Sequence, residues 1–154
     1  MSGLAAVLAG RRAAGVYRWV SGAHVQQVRH TVEHAGWRFV HLDTARVDDQ
    51  PGFLNETRQA YDLDSSHGDD LPALAQDLAD VRHHAGTVTL WEGWSPFART
   101  HPEAFSAALD TLAARANSRS GGVFVVLLRG AGPDLQITEL DPHGAEHASG
   151  PPPR

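Results

Sequence analysis

Residues 123–128, with the sequence VFVVLL, decide the fold class of this chain of 154 residues. The run contains six apolar residues without interruption and follows a Gly121-Gly122 pair. A strand with one solvated face alternates apolar and polar residues, whereas a strand covered on both faces is apolar throughout. The run therefore predicts an inner strand of a small, mainly parallel sheet that is packed by helices on both sides.

Strand-like and helix-like segments alternate along the chain before this run. Strands are predicted where β-branched and aromatic residues cluster, and helices where apolar residues recur at every third or fourth position. A pair of aspartates precedes Pro51 and another pair precedes Pro72, and one aspartate of each pair is expected to cap a helix that has proline in its first turn. The predicted order is strand 15–20, helix 25–35, strand 37–42, helix 51–61, helix 70–81, strand 87–92, helix 102–116 and strand 123–128.

This alternation predicts one α/β domain with an addition at each end. Residues 1–36 would form an N-terminal extension of one strand and one helix, and residues 37–130 the main domain. Residues 131–154 would form a C-terminal tail with a possible edge strand at 135–140, mostly disordered because its end is polar and rich in proline. The sequence leaves open whether the N-terminal extension covers the sheet edge or forms a dimer contact.

The composition argues against several classes of function. The chain has no cysteine, which removes disulfides, thiol chemistry and cysteine-ligated zinc, and which suits the reducing cytoplasm. All 13 basic residues are arginines, and they are spread without the cluster that nucleic-acid binding requires. No apolar run approaches the roughly 18 residues that span a bilayer, and the N-terminus lacks the charge order of a secretory signal. We therefore expect a cytoplasmic protein without a nucleic-acid or membrane partner.

Residues 61–81, YDLDSSHGDDLPALAQDLADV, concentrate the negative charge of the chain. A solvated helix face usually mixes both signs of charge, and this stretch has no arginine. One interpretation is a loop and a capped helix that are simply solvated. The other, which we favour, is a docking surface for a basic protein. The six aspartates of the stretch are Asp62, Asp64, Asp69, Asp70, Asp77 and Asp80.

Three motifs in the sequence resemble the barstar family, whose members inhibit the ribonuclease barnase. They are HGDDLPAL at 67–74, TLWEGW at 89–94 and the closing VFVVLL strand, and the likeness extends over about 37–130. The resemblance implies a barstar-like three-layer α/β sandwich with an extra N-terminal strand and helix. It also implies an inhibitor that lays its second helix and the preceding loop into a basic active site, where its carboxylates replace RNA phosphates.

The correspondence with the family is partial at the residues that would bind. Pro72 and Gln76 stand where the family has two aspartates, and Ala114 stands about where it has a contact glutamate, so we expect a partner other than barnase itself. Glu92 is expected to border the binding surface. The residues predicted to form that surface are Asp64, Ser66, His67, Gly68, Asp69, Asp70, Pro72, Ala73, Gln76, Asp77 and Asp80.

Two alternative functions stay open at this point. The chain could be a barstar-fold interaction module that no longer inhibits a nuclease, or a small hydrolase or metal protein that uses His67, Asp69 and Asp70. These three residues share one turn, without the i, i+4 pairing of helical metal ligands or the scaffold that holds a catalytic triad. We therefore expect no enzymatic activity, no cofactor and no metal, and a basic protein partner of the ribonuclease class, with the free chain monomeric.

Overall fold

The computed structural model describes residues 2–64, 67–118 and 121–140. In this part of the chain five strands form one sheet in the order β2-β3-β4-β1-β5, and every neighbouring pair is parallel. The strands are β1 (Gly15–Trp19), β2 (Arg38–Asp43), β3 (Thr87–Glu92), β4 (Phe124–Arg129) and β5 (Thr138–Glu139). The helices are α1 (Ser2–Leu8), α2 (Val25–His34), α3 (Gln50–Tyr61), α4 (Leu71–Leu78), α5 (Ser95–Thr100) and α6 (Pro102–Asn117).

Helices cover both faces of the sheet and form a three-layer sandwich. Alternate side chains of β4 enter two separate cores, one packed by α3 to α6 and the other by α1 and α2. The first set is Phe124, Val126 and Leu128, and the second is Val125 and Leu127. All of them are completely buried. The prediction of a doubly covered inner strand in a parallel α/β fold is therefore confirmed.

The N-terminal residues contribute to the same sheet as the rest of the chain. β1 pairs with β4 on one side, from Gly15 opposite Val125 to Trp19 opposite Arg129, and with β5 on the other. It therefore lies inside the described sheet, between β4 and β5. The separation of residues 1–36 as an extension stays a prediction, although their buried side chains share one core with β2, β3 and β4.

Several elements differ from the prediction. α1 and α5 are short helices that the sequence analysis did not predict. α4 ends at Leu78 instead of residue 81, because the amides of Asp80 and Val81 bond to the carbonyls three residues earlier and so form a tighter turn. Of the predicted tail, the structure describes 131–140, where Leu140 is buried, and residues 141–154 lie outside the described part.

Within the described residues, none of the helices combines the length and the apolar character that crossing a bilayer requires.

Candidate protein-binding surface

The loop between α3 and α4 lies beside the N-terminal ends of the parallel strands. The last residue of α3, Tyr61, accepts a hydrogen bond at its carbonyl oxygen from Arg38 Nη2, at 3.1 Å, and Arg38 is the first residue of β2. The Tyr61 ring is buried and its hydroxyl bonds to Thr89 of β3, and burial raises the pKa of that hydroxyl. Asp62 then adopts the left-handed conformation, with φ of 59°, which ends the helix. The loop therefore starts from a fixed point.

Asp70 begins α4 and orients the far end of the loop. Its Oδ1 atom accepts a hydrogen bond from the Ala73 amide at 2.8 Å, and Pro72 occupies the first turn of the helix. The prediction that one aspartate of the pair caps this helix is thus confirmed for Asp70. A carboxylate at a helix N-terminus is also stabilised by the positive end of the helix dipole.

The two sides of α4 differ in burial and in charge. Ala73, Leu74 and Leu78 are buried against the core. The outward side exposes small or uncharged residues, and the turn after the helix exposes a carboxylate. The exposed residues are Pro72, Ala75, Gln76, Ala79 and Asp80.

A buried cluster of charged side chains lies between α3, α4 and the loop. Arg58 of α3 donates from Nη1 to Asp77 Oδ2 at 2.9 Å and from Nη2 to the Gly68 carbonyl oxygen at 2.5 Å. The other oxygen of Asp77 accepts from His67 Nδ1 at 2.5 Å. Arg58 is 7% exposed and Asp77 is 4% exposed, so this pair is shielded from water.

Five of the six aspartates in the acidic stretch stay on the surface. We call the four that lie between α3 and α4 the acidic loop: Asp62, Asp64, Asp69 and Asp70, all of them exposed. Among the described residues, no arginine forms an ion pair with Asp62, Asp69, Asp70 or Asp80. A cavity of about 310 Å³ opens beside the acidic loop and is lined by Pro51, Leu54, Asn55, Arg58 and Asp69.

A second cluster of charged residues lies at the C-terminal ends of the strands. Glu92 accepts from Arg129 Nε at 2.9 Å and from His41 Nε2 at 2.9 Å. Partial burial alone would raise the pKa of Glu92, but the hydrogen bonds from His41 and Arg129 outweigh it and hold this pKa below its usual value. Because the acidic loop lies beside the N-terminal ends of the strands, the expectation that Glu92 borders the same surface was wrong.

A family profile described as Barstar (barnase inhibitor) matches residues 37–129, which is more than half of the 154 residues. The chain belongs to the barstar family. No curated protein matches it.

The barstar-family match covers the part of the fold that carries the acidic loop. It begins one residue before β2 and ends with the last residue of β4, and so includes α3, the loop and α4. β1 and β5 lie outside the matched residues. The description of the family is that of an inhibitor, so the protein-binding interpretation is the one that family membership supports.

The structure brings most of the predicted binding residues together and corrects two of them. His67, Gly68, Asp69 and Asp70 lie in one turn before α4, Pro72 and Gln76 lie on its exposed side, and Asp80 is exposed in the turn after it. Ala73 and Asp77 were wrong as contact residues, since Ala73 is 2% exposed and the carboxylate of Asp77 is already bound by Arg58. Asp64 is exposed, and Ser66 lies outside the described residues.

Arg58 is the residue of this region that sequence reasoning missed. It lies outside the acidic stretch and 19 positions before Asp77, too far for any helical spacing to suggest the pair. One signal could have revealed it, because Arg58 falls between Leu54 and Tyr61 on the apolar side of α3. A charged residue on such a stripe needs a buried partner of opposite charge.

The hydrolase or metal alternative used His67, Asp69 and Asp70. The structure directs His67 toward Asp77 instead of toward the other two residues. Among the described residues, no group of three or more histidine or carboxylate side chains could hold a metal ion.

Proposed function

We propose that this chain binds a basic ribonuclease and inhibits it by covering the active site with the acidic loop and the exposed side of α4. Membership of a family described as barnase inhibitors supports this function. The observation that carries the proposal is the exposure of Asp69 and Asp70 without an arginine partner in the described part of the chain. Carboxylates in this state can meet the cations that a ribonuclease uses to bind RNA phosphates.

The acidic loop and the exposed side of α4 have different roles in the proposed interface. The acidic loop supplies charge at the margin, and charges at a margin mainly accelerate encounter with a partner of opposite sign. The centre of α4 presents Pro72, Ala75 and Gln76, which can pack closely against a partner without the desolvation penalty of a buried charge.

Barnase itself is not the partner that this surface fits best. Pro72 and Gln76 are exposed where the barstar resemblance places aspartates, and Ala114 is exposed on α6 where it places a glutamate. A complex that depends on three such charges would lose most of its affinity without them. We therefore expect weak inhibition of barnase and stronger inhibition of a ribonuclease with a flatter, less cationic centre.

The double substitution Asp69→Asn with Asp70→Asn tests the proposal. Asparagine caps a helix about as well as aspartate, so the substitution removes two charges and leaves the start of α4 intact. At low salt we expect the association rate with the ribonuclease to fall about tenfold or more, and the salt dependence of that rate to weaken. Stopped-flow binding and inhibition of RNA hydrolysis at several salt concentrations measure both effects, with a ribonuclease purified on the immobilised wild-type chain.

A control variant separates local charge from net charge. Glu33→Gln with Glu139→Gln makes the same change in net charge at exposed positions of α2 and β5, away from α4, and we expect it to leave association nearly unchanged. Equal rates for the wild type and the Asp69/Asp70 variant would contradict the proposed surface. A ribonuclease that binds the chain and keeps its full activity would contradict inhibition.

A further inference from the structure

We infer that Arg58 and Asp77 are positioning residues for the acidic loop, which they hold in the conformation that meets a partner. This inference rests on the proposed function, because it concerns the same surface. Both side chains are more than nine-tenths buried in this conformation, so neither presents a surface on which a partner could dock. Their role in binding would be exerted through the residues to which they bond.

The contacts of the pair connect three separate segments of the chain. The guanidinium of Arg58 bridges α4, through Asp77, and the loop, through the carbonyl oxygen of Gly68. Asp77 in turn bonds to the ring of His67. Two consecutive loop residues, directly before Asp69 and Asp70, are therefore fixed by bonds to the protein interior. Gly68 has φ of 116°, a backbone conformation that side-chain-bearing residues rarely adopt, so the bonds maintain an unusual turn.

Stability of the fold alone does not explain a buried ion pair at this place. Replacement of such a pair by apolar residues of similar size is often neutral or stabilising, because both charges must be stripped of water on folding. The Nε atom of Arg58 adds to this penalty, since it is buried without a hydrogen-bond partner among the described residues. What apolar residues could not reproduce are the two bonds to the loop, at Gly68 and His67.

The double substitution Arg58→Met with Asp77→Leu separates loop order from stability. We expect the variant to unfold at nearly the wild-type temperature, because it removes both charges together. The backbone amides of residues 67–70 should lose order, with order parameters from nitrogen-15 relaxation falling from about 0.85 to below about 0.6. If only about a tenth of the molecules then hold the binding conformation, affinity for the ribonuclease falls about tenfold.

The kinetics distinguish this role from that of the exposed carboxylates. The Arg58/Asp77 variant has the same net charge as the wild type, so its affinity loss should not be accompanied by a weaker salt dependence of association. Loss of salt dependence is expected for the Asp69/Asp70 variant. Glu92→Gln is the matched control, since it weakens an ion pair at the C-terminal ends of the strands, away from the acidic loop. It should leave the order of residues 67–70 unchanged.

Each result decides the inference. Wild-type order at residues 67–70 in the Arg58/Asp77 variant would overturn it, whether or not a partner exists. Lost order with undiminished affinity would also overturn it, and the proposed surface would survive if the Asp69/Asp70 variant still bound weakly. Should the double variant fail to fold, Arg58→Lys replaces it, because a lysine can bond to Asp77 or to Gly68 but lacks the fork that joins them. Disorder of the same four residues in that folded variant would support the inference, and wild-type order would overturn it.

Discussion

Glu92 shows how one side chain can join several strands. It is the last residue of β3, and it receives hydrogen bonds from His41 of β2 and from Arg129 of β4. Arg129 also donates to the carbonyl oxygens of Ser21 and Ala23, which follow β1. The carboxylate therefore connects the ends of the three neighbouring parallel strands β2, β3 and β4.

The substitution Glu92→Gln should make stability less dependent on pH in the acid range. The folded-state pKa of Glu92 lies below its ordinary value of 4.5, so its ionised form stabilises the fold above that pH. This stabilisation is lost as the pH falls through the lower, folded-state pKa. We expect the variant to be less stable than the wild type by about 1 kcal/mol at neutral pH, because the pair is partly exposed.

Urea denaturation between pH 7 and pH 3 provides the measurement for Glu92→Gln. The difference in free energy of unfolding between the two proteins should shrink steadily below about pH 4.5, toward zero when the carboxyl is protonated in both states. Asp110→Asn is a suitable control, since Asp110 is exposed and outside the cluster. A free-energy difference that stayed constant down to pH 3 would show that the charge of Glu92 is not what stabilises the C-terminal ends of the strands.

Individual residues were predictable where their role is local. The cap at Asp70 follows from an aspartate before Leu71 and Pro72, three neighbouring positions that the sequence displays directly. Asp77 has the same side chain, seven positions further, and its role depends on Arg58 of another helix. Only the packing of α3 against α4 brings these two together, so the acidic stretch alone could not show which of its carboxylates are neutralised.

At the scale of whole elements, α4 is held at its C-terminal end by a side chain from another helix. Arg115 of α6 donates to the carbonyl oxygens of Leu78 at 3.0 Å and Val81 at 2.7 Å. It also donates to Gly121 at 3.2 Å and lies over the ring of Phe124. Burial lowers the pKa of Arg115. One guanidinium thus adds a second donor to the Leu78 carbonyl, which also accepts from the Val81 amide, and supplies the donor for the Val81 carbonyl in the turn that follows the helix.

The substitution Arg115→Met should destabilise the protein by about 3–5 kcal/mol, since the carbonyl oxygens of Val81 and Gly121 lose their donor and that of Leu78 loses one of its two. Arg115→Lys is the matched control, because it keeps the charge but can reach fewer of the carbonyls, and we expect an intermediate loss. Thermal unfolding followed by circular dichroism measures both. Wild-type stability of the methionine variant would mean that water replaces the guanidinium and that α4 does not depend on it.

Elements were predictable to the extent that their own residues determine them. β2, β3 and β4 lie within a residue or two of the predicted ranges because each is rich in β-branched, aromatic or other apolar residues. α1 and α5 have too few residues for a helical period to show. In α4 the apolar period continues to Val81, whereas the helix stops at Leu78, where the guanidinium of a distant arginine binds.

At the scale of the whole molecule, β1 is the element that no local pattern could place. The sequence predicted a strand there but not its neighbours, since strand order depends on which edges the helices leave open. In the structure β1 pairs with β4 and β5, and residues before β2 complete the core on one face of the sheet. The side chains that they bury are Leu4, Val7, Tyr17, Trp19, Val28 and Val32.

Removal of residues 1–36 should therefore abolish cooperative folding of the remaining chain, although the barstar-family match begins only at residue 37. Burial of one large apolar side chain contributes about 1.5–3 kcal/mol, so the loss of six is comparable to the whole stability of a typical domain, about 5–15 kcal/mol. Tryptophan fluorescence during urea titration should show no sigmoidal transition for residues 37–154. Addition of a peptide of residues 1–36 should restore the transition, because β4 then regains its neighbour. A cooperative transition without the peptide would instead define residues 37–154 as a self-sufficient domain and make the first 36 residues an extension of it.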